Sequence, residues 1–460
     1  RGEFPRAQTT VLEAYAASPS RPHFRQIKDR LSAEGSKAPM RLMTCYGGSI
    51  APEHRMLAST MSGGPVGGVI GGKYLGEALG VENIVCSDVG GTSFDTGLIT
   101  EGRFTLDVEP SIAWMKTAIP AIVTESIGAG TGMYVRLDPV IKKIELGPES
   151  AGYKIGMCVK EKVPTINDCN LVLGYLNPDY FLGGKVKLSV EKAYEGIERQ
   201  LADPLGIDVY EAAEGIKNLV DITMKDSLSA TVMGRGFSPE VYSLLCYGGA
   251  GPLHAAAYSE GLNFKNIFIP TWAAAFSAFG CACAEYSDRI DYQIDFPISP
   301  DLREGEMLLM IVNQVLDGLK AALEQELLKQ GLDLNKVVFK PAARMQYRGQ
   351  LDDLELLMPA YPMTGKDLEK LCETFNDLYG KIFPVSAKSP ELGYLITRCV
   401  AHGVYPTRRP ILRKHRLSRL VPDEKARKGK RKIYFKHKWH RADIYEMDYL
   451  KSGNLVKGPS

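Results

Sequence analysis

The eleven residues Val85-Cys86-Ser87-Asp88-Val89-Gly90-Gly91-Thr92-Ser93-Phe94-Asp95 limit the folds open to this chain more than any other stretch. A short apolar run, Ile84 to Cys86, leads to Asp88. Two glycines and two hydroxyl residues follow, Asp95 comes seven positions after Asp88, and Leu98 and Ile99 resume an apolar strand. Strand, Gly-Gly turn and strand predict a tight hairpin. Glycines admit a ligand close to bare backbone, and successive turn N–H groups form a concave nest for an anion. Thr92 and Ser93 add hydroxyl donors, while Asp88 and Asp95 can hold a hydrated Mg²⁺ or orient an attacking oxygen. A plain β-turn with an Asp cap would use some of the same residues. Two carboxylates flanking the turn in strand context favour phosphate binding.

Other glycine junctions surround this one. Ser62-Gly63-Gly64-Pro65-Val66-Gly67-Gly68-Val69-Ile70-Gly71-Gly72 predicts a helix capped by Ser62 or Gly63, with Pro65 in its first turn. So many glycines would weaken a free helix, so it must lie very close to a sheet or meet a ligand at its N-terminus. Glu125-Ser126-Ile127-Gly128-Ala129-Gly130-Thr131-Gly132 is glycine-rich again but fits neither the dinucleotide fingerprint nor a Walker loop. A strand over 241–246 empties into Tyr247-Gly248-Gly249-Ala250-Gly251-Pro252-Leu253-His254, which opens a helix. Strand, Gly-Gly and helix is a way to seat a nucleotide on a helix N-terminus. Cys45-Tyr46-Gly47-Gly48 and Cys246-Tyr247-Gly248-Gly249 repeat the same four residues, an echo that would fit two related half-domains. His254 is read as a structural histidine, with a ligand contact as the alternative.

The remaining chain supplies scaffold. Thr9–Ala17 and His23–Ala33 read as helical pieces separated by a turn at Ser20-Arg21-Pro22. Residues 134–160 alternate as a β-rich patch, and Asn167-Asp168-Cys169-Asn170 leads into an apolar strand over 171–174. Helices follow from 190 to 226 and over 273–282. A long amphipathic helix carries Met307, Leu308, Ile311, Val315, Leu319, Leu323 and Leu327 on its face. Residues 343–350 and 354–356 alternate as strands, residues 368–379 form a helix, and residues 408–441 are basic and irregular. A length of 460 residues predicts two to four domains. The net charge of +2 creates no global field for nucleic acid or membrane. No apolar run reaches the ~18 residues of a membrane span. The nine cysteines are dispersed, and Cys281-Ala282-Cys283 lacks zinc or redox spacing, so reduced thiols in a cytoplasm are expected. The start at Arg1-Gly2-Glu3 reads as the middle of something longer.

With these motifs in view, the chain resembles the hydantoinase/oxoprolinase family of actin-like ATPases. The likeness rests on Ser87–Asp95, Ser62–Gly71, Gly174–Gly184 and Cys246–His254, in the family's order and approximate spacing. The implied fold is α/β, of the actin, heat-shock-chaperone and sugar-kinase type. The expected division is an ATPase core over 1–290, an α+β domain over 291–410, and a basic linker with the start of a β-rich tail over 411–460. The family's first phosphate loop, another Asp-x-Gly-Gly-Thr hairpin, has no counterpart here, and neither does its closing β segment. The resemblance therefore implies a fragment that lacks half of its phosphate clamp and does not turn over ATP alone.

Within the family the likeness is to the acetone-carboxylating branch, through Asp88–Asp95, Ile166-Asn167-Asp168-Cys169, Thr271–Cys281 and Arg344–Leu351. That implies ATP-dependent formation of acetoacetate from acetone and bicarbonate by way of phosphorylated intermediates. Asp88 and Asp95 would be the catalytic carboxylates, with Asp88 holding Mg²⁺ through water. Gly90, Gly91, Thr92 and Ser93 would cradle the phosphates of ATP, and Gly248, Gly249, Ala250 and Gly251 would receive the adenosine. The implied partners are a large metal-containing subunit and a small one in a heterohexamer-like complex. Mn or another transition metal would sit in a partner, since no Cys/His cluster suits one here. Rival readings are ATP-dependent opening of a hydantoin or 5-oxoproline ring, carboxylation of an aromatic ketone such as acetophenone, and a non-catalytic actin-like or chaperone-like ATP switch.

Overall fold

The computed structural model describes residues 3–112, 114–152, 156–160, 162–350, 353–382 and 385–458. Leu351 of the Arg344–Leu351 stretch and the terminal Pro459-Ser460 lie outside the described residues. The chain is mixed α/β. In order, the main helices are α1 (Glu3–Ala33), α2 (Gly63–Leu79), α3 (Ile166–Val172), α4 (Val190–Ile197), α5 (Val209–Met233), α6 (Gly251–Ser259), α7 (Phe276–Cys283), α8 (Gly305–Lys329) and α9 (Gly365–Ile382). The main strands are β1 (Leu42–Met43), β2 (Ser49–Ile50), β3 (Ile84–Val89), β4 (Phe94–Thr100), β5 (Thr124–Ile127), β6 (Met133–Leu137), β7 (Ile144–Ser150), β8 (Ser243–Tyr247) and β9 (Asn266–Phe268). They continue with β10 (Tyr286–Ile298), β11 (Val338–Tyr347), β12 (Leu354–Leu357), β13 (Tyr394–Tyr405), β14 (Arg427–Phe435) and β15 (Lys438–Tyr445).

Two compact units cut across the linear divisions expected at 290 and 410. One comprises residues 1–61 and 284–409, the other 62–283 and 410–460. The reason is strand pairing: β2 joins β10, so the N-terminal segment extends the sheet of the later chain. The 410–460 segment belongs with residues 62–283, where Tyr434 enters the core. Its basic stretch is not irregular throughout, because β14 and β15 pair as an antiparallel hairpin.

In the first unit the sheet runs β1-β2-β10-β13-β11-β12. Helix α8 buries Leu308, Val312, Leu316, Leu319, Leu323 and Leu327 against the sheet and α9. Each such side chain contributes about 1.5–3 kcal/mol of burial. Leu308, Leu319, Leu323 and Leu327 of the expected face are buried and Val315 packs half-buried beside them, whereas Met307 is exposed and Val312 and Leu316 join the buried contacts. Helix α1 is continuous despite Pro19 and Pro22. Both prolines remove a helical donor, and tertiary bonds offset the loss. The Arg21 guanidinium donates to the His54 and Arg55 carbonyls at 2.9 and 2.8 Å.

A buried ion cluster ties three strands of this sheet. Glu355 on β12 meets Arg289 of β10 and His402 of β13, each at 2.9 Å. Burial alone would raise the Glu355 pKa, but the His402 hydrogen bond and the Arg289 charge prevail and bring it from 4.5 to about 2. A carboxylate depressed in the folded state stabilises above its ordinary pKa and loses that contribution as pH falls through the folded value. Glu355→Gln is therefore expected to destabilise the chain at pH 7, by about 3 kcal/mol for a buried pair left half-broken. The gap should close between pH 4.5 and about 2. Chemical denaturation across that window checks it; parallel curves for the two proteins would remove the cluster from the account.

In the second unit the sheet runs β5-β4-β3-β8-β9, with β3, β8 and β9 parallel and β4 antiparallel to β3. Side chains alternate across it. Val85 and Leu244 join the apolar cluster of Met224, Leu228 and Tyr258. On the other face Cys86 and Leu245 lie under α2, which approaches so closely that a Cβ on Gly72 would meet both. The glycine-rich helix thus owes its composition to close approach, both to the sheet and to α7. It begins after Ser62, whose side chain makes no capping bond. The stretch expected as a strand over 171–174 instead closes helix α3, which ends at Val172 and is started by a Thr165–Asp168 capping box. The repeated Cys-Tyr-Gly-Gly residues do not mark equivalent positions. Cys45–Gly48 turns between antiparallel β1 and β2, whereas Cys246–Gly249 leads from a parallel strand towards a helix.

Among the described residues no helix is long and apolar enough to cross a membrane. Seven of the eight cysteines with described side chains are buried, and Cys281 is exposed.

Candidate active site

Strands β3 and β8 run parallel and end at the same sheet edge, with Asp88 in register with Tyr247. Ligands of open α/β sheets bind beyond the carboxyl ends of such strands. Here the edge carries both glycine turns singled out in the sequence. From β3 the chain enters Gly90-Gly91-Thr92-Ser93 and returns along β4, which puts Asp95 directly opposite Asp88. From β8 it enters Gly248-Gly249-Ala250 and then α6, which starts at Gly251.

The two turns touch. Ala250 N–H donates to the Val89 carbonyl at 3.0 Å. Gly248 has φ +86°, and a Cβ there would lie 2.2 Å from Asp88 Oδ1, so the loop can pass the carboxylate only as glycine. Gly249 is exposed, with open space where a side chain would be. The second glycine-rich segment has a defined task. The N–H groups of Gly130, Thr131 and Gly132 donate to the carbonyls of Thr92, Gly90 and Gly91 at 3.2, 3.1 and 2.7 Å. Ser150 Oγ adds a bond to the Gly91 carbonyl at 3.2 Å. The carbonyls of the turn are thereby occupied. The N–H groups of Gly91, Thr92 and Ser93 donate to no described acceptor, and Gly91 and Thr92 are exposed. Donors left free at a fixed, open turn form an anion nest.

The carboxylates have distinct surroundings. Asp95 Oδ2 accepts the Ser93 hydroxyl at 2.8 Å. Asp88 Oδ2 accepts Ser277 Oγ of α7 at 2.9 Å. Burial raises the Asp88 pKa, the Ser277 bond lowers it, and the charge of Asp95 raises it further; the net direction is upward. A divalent cation between the two would relieve that repulsion, so the donor set fits a hydrated Mg²⁺ held by one or two carboxylates. No group of three or more His, Cys, Asp or Glu among the described residues is placed as a metal cage.

Ser277 was not singled out by the sequence. It stands 189 positions from Asp88, and its only local signal is a small-residue helix that must lie close to another. Ser277→Ala is expected to raise the Asp88 pKa further and shift the acid limb of the pH–rate profile upward, while Ser277→Thr keeps the limb in place. An unshifted limb in the alanine variant would show that the hydroxyl does not act on Asp88. His254, in contrast, is structural. It is fully buried, with Nδ1 2.6 Å from Asp221 Oδ1 and Nε2 3.0 Å from Asn170 Nδ2. Burial lowers its pKa, which the Asp221 bond opposes.

The hydantoinase/oxoprolinase family description matches residues 6–290, and that of the family's C-terminal domain matches residues 303–460. The chain belongs to the hydantoinase/oxoprolinase family. This hydantoinase/oxoprolinase chain is 43% identical over its whole length to the acetone carboxylase beta subunit of Xanthobacter autotrophicus, of which it covers 65%. It is 30% identical to the acetophenone carboxylase gamma subunit of Aromatoleum aromaticum, covering all of this chain and 63% of that one. Among solved structures, nucleotide-free acetone carboxylase matches with a TM-score of 0.88 at 43% identity, over 100% of this chain and 66% of that chain. The ATP-dependent caprolactamase of Pseudomonas jessenii matches with a TM-score of 0.73 at 25% identity, over 95% and 63%. The chain thus spans about two thirds of the length of these relatives.

Proposed function

We propose that this chain is the ATP-binding, phosphorylating part of an acetone carboxylase subunit, with the second unit built as one lobe of an actin-like ATPase. The observation that carries the reading is the meeting of the Asp88 hairpin and the Gly248 loop at one sheet edge. It stands in a chain 43% identical throughout to an acetone carboxylase beta subunit. Phosphoryl transfer depends chiefly on positioning and charge neutralisation. The free N–H groups of Gly91, Thr92 and Ser93, with the two hydroxyls, hold phosphate oxygens beyond Gly90. Gly248, Gly249, Ala250 and Gly251 let the adenosine lie against backbone at the start of α6. Asp88, fixed by Ser277, orients the acceptor oxygen and holds Mg²⁺ through water, with Asp95 beside it. Mg²⁺ bound there supplies charge neutralisation on the phosphates.

The acceptors in this reading are acetone and bicarbonate, activated for condensation to acetoacetate in the cytoplasm. A large subunit carrying Mn or a similar metal and a small subunit complete the enzyme. The likeness to the ATP-dependent caprolactamase favours a second reading, hydrolytic opening of a cyclic amide by the same phosphate site. A panel of acetone, acetophenone and caprolactam, offered to the full-length complex with ATP, separates them. Acetone alone should drive ATP consumption and yield acetoacetate. Consumption driven only by caprolactam would transfer the assignment to the amide-opening branch.

A further inference from the structure

An ATP molecule held in the proposed way spans the Gly90–Ser93 turn and the Gly248–Ala250 loop, so the spacing of the two matters as much as either one. Helix α6, which the loop opens, has no local anchor: Ala250 precedes it without a capping bond from its side chain, and the first turn is Gly251-Pro252-Leu253. Two buried polar residues on one face of the helix hold it instead. His254 and Tyr258 stand four positions apart, and neither is exposed to solvent. The Tyr258 hydroxyl lies 2.9 Å from Ser87 Oγ, which donates to the Leu245 carbonyl at 3.2 Å. Ser87 immediately precedes Asp88, so this tie ends at the root of the hairpin.

The tie from His254 is longer and ends on the turn itself. Asp221, paired with Lys217 Nζ at 2.7 Å, is a carboxylate that only accepts, so His254 Nδ1 carries the proton in their 2.6 Å bond. The role of one imidazole nitrogen sets that of the other. Burial lowers the His254 pKa against the pull of Asp221, which leaves the ring neutral at pH 7. Nε2 therefore accepts from Asn170 Nδ2 at 3.0 Å. This bond accounts for Asn170 Oδ1, a buried oxygen with no partner: the reverse amide orientation would set it against the Nε2 lone pair. Asn170 lies one turn along α3 from Asn167, whose N–H donates to the Thr131 carbonyl at 2.9 Å, and Thr131 N–H donates to the Gly90 carbonyl at 3.1 Å. Hydrogen bonds and a single helical turn thus run without a gap from α6 to Gly90.

We propose that Asn170, His254 and Tyr258 are positioning residues that fix the adenosine loop at one distance from the phosphate-holding turn. These roles rest on the ATP-site reading above. All three side chains are buried and act through α6 and α3 rather than on the nucleotide. A ligand held at two points loses affinity when the points shift relative to one another, even where each remains intact. That signature separates positioning from a contribution to folding alone.

The test is steady-state kinetics of the full-length complex, with whichever acceptor drives ATP consumption in the parent and with adenosine and pyrophosphate as competing inhibitors. Asn170→Ala should raise the KM for ATP about tenfold and leave kcat within about twofold, while the inhibition constants of adenosine and of pyrophosphate each stay within about twofold. Tyr258→Phe deletes one hydroxyl and keeps the ring packed on Phe94, so it remains folded, and it should raise the KM about threefold. Val232→Ala, in the same core but outside these ties, should lower the thermal midpoint and leave the KM unchanged. A parental KM in Tyr258→Phe or in folded Asn170→Ala, an equal rise in Val232→Ala, or adenosine weakened as much as ATP would each overturn the proposal. A parent that consumes no ATP with any acceptor would overturn the ATP-site reading itself, and these roles with it.

Discussion

Gly280→Ala is expected to lower the stability of the full-length chain by about 3 kcal/mol or more. Helices α2 and α7 meet backbone to backbone: a Cβ on Gly280 would lie 1.7 Å from the Gly67 carbonyl oxygen and 2.8 Å from Gly71 N. No rotamer relieves such a contact, because a Cβ has none, so the helices must separate. Separation would also draw Ser277, one turn before Gly280 on α7, away from Asp88. The variant should therefore lose thermal stability and phosphoryl transfer together. Differential scanning calorimetry alongside ATP turnover checks both. A variant with the parental midpoint would mean that α2 and α7 do not approach as described. Gly64→Ala, on the same α2 helix with open space around its would-be Cβ, provides the contrast and should leave the midpoint nearly unchanged.

What the sequence reveals follows from the range of the forces involved. The Asp88 hairpin is legible because turn chemistry is local: two strands and Gly-Gly-Thr-Ser suffice to set Asp88 opposite Asp95. The Gly248 loop is legible for the same reason, as is the close approach implied by the glycines of α2. The partner that exploits this approach, Gly280 on α7, is more than 200 positions from Gly67 and announces itself only as a small residue. Helix α1 was hidden because Pro19 and Pro22 argue locally for a break, while Arg21 answers through carbonyls at 54 and 55. The apolar run at 171–173 reads equally as strand or helix, and the deciding signal, Thr165 with Asp168, precedes it. On α8, Leu308, Leu319, Leu323 and Leu327 are placed correctly, but Met307 and Ile311 share the apolar character of the true face, so composition alone includes them and passes over Val312 and Leu316. The grouping of residues 1–61 with 284–409 is set by one strand pairing that no local pattern specifies.

Asp88→Asn should have the largest effect on chemistry. Asparagine keeps the size of the side chain and can still accept the Ser277 hydroxyl, so the fold and the assembly with partner subunits are expected to survive. It removes the charge that, in the proposed role, would hold Mg²⁺ and orient the acceptor oxygen. Loss of a preorganised electrostatic group of this kind costs about a hundredfold to a thousandfold in rate. The substitution also removes the repulsion between Asp88 and Asp95 that helps raise the Asp88 pKa, so the variant should be at least as thermally stable as the parent. Reduced turnover with undiminished stability distinguishes a catalytic carboxylate from a structural one.

The most direct measurement is acetone-dependent ATP consumption by the full-length complex, parent and Asp88→Asn side by side, at matched subunit composition. The account predicts acetone-stimulated turnover in the parent and at least an about hundredfold loss in the variant. An Asp88→Asn complex that consumes ATP at the parental rate in the presence of acetone would contradict it.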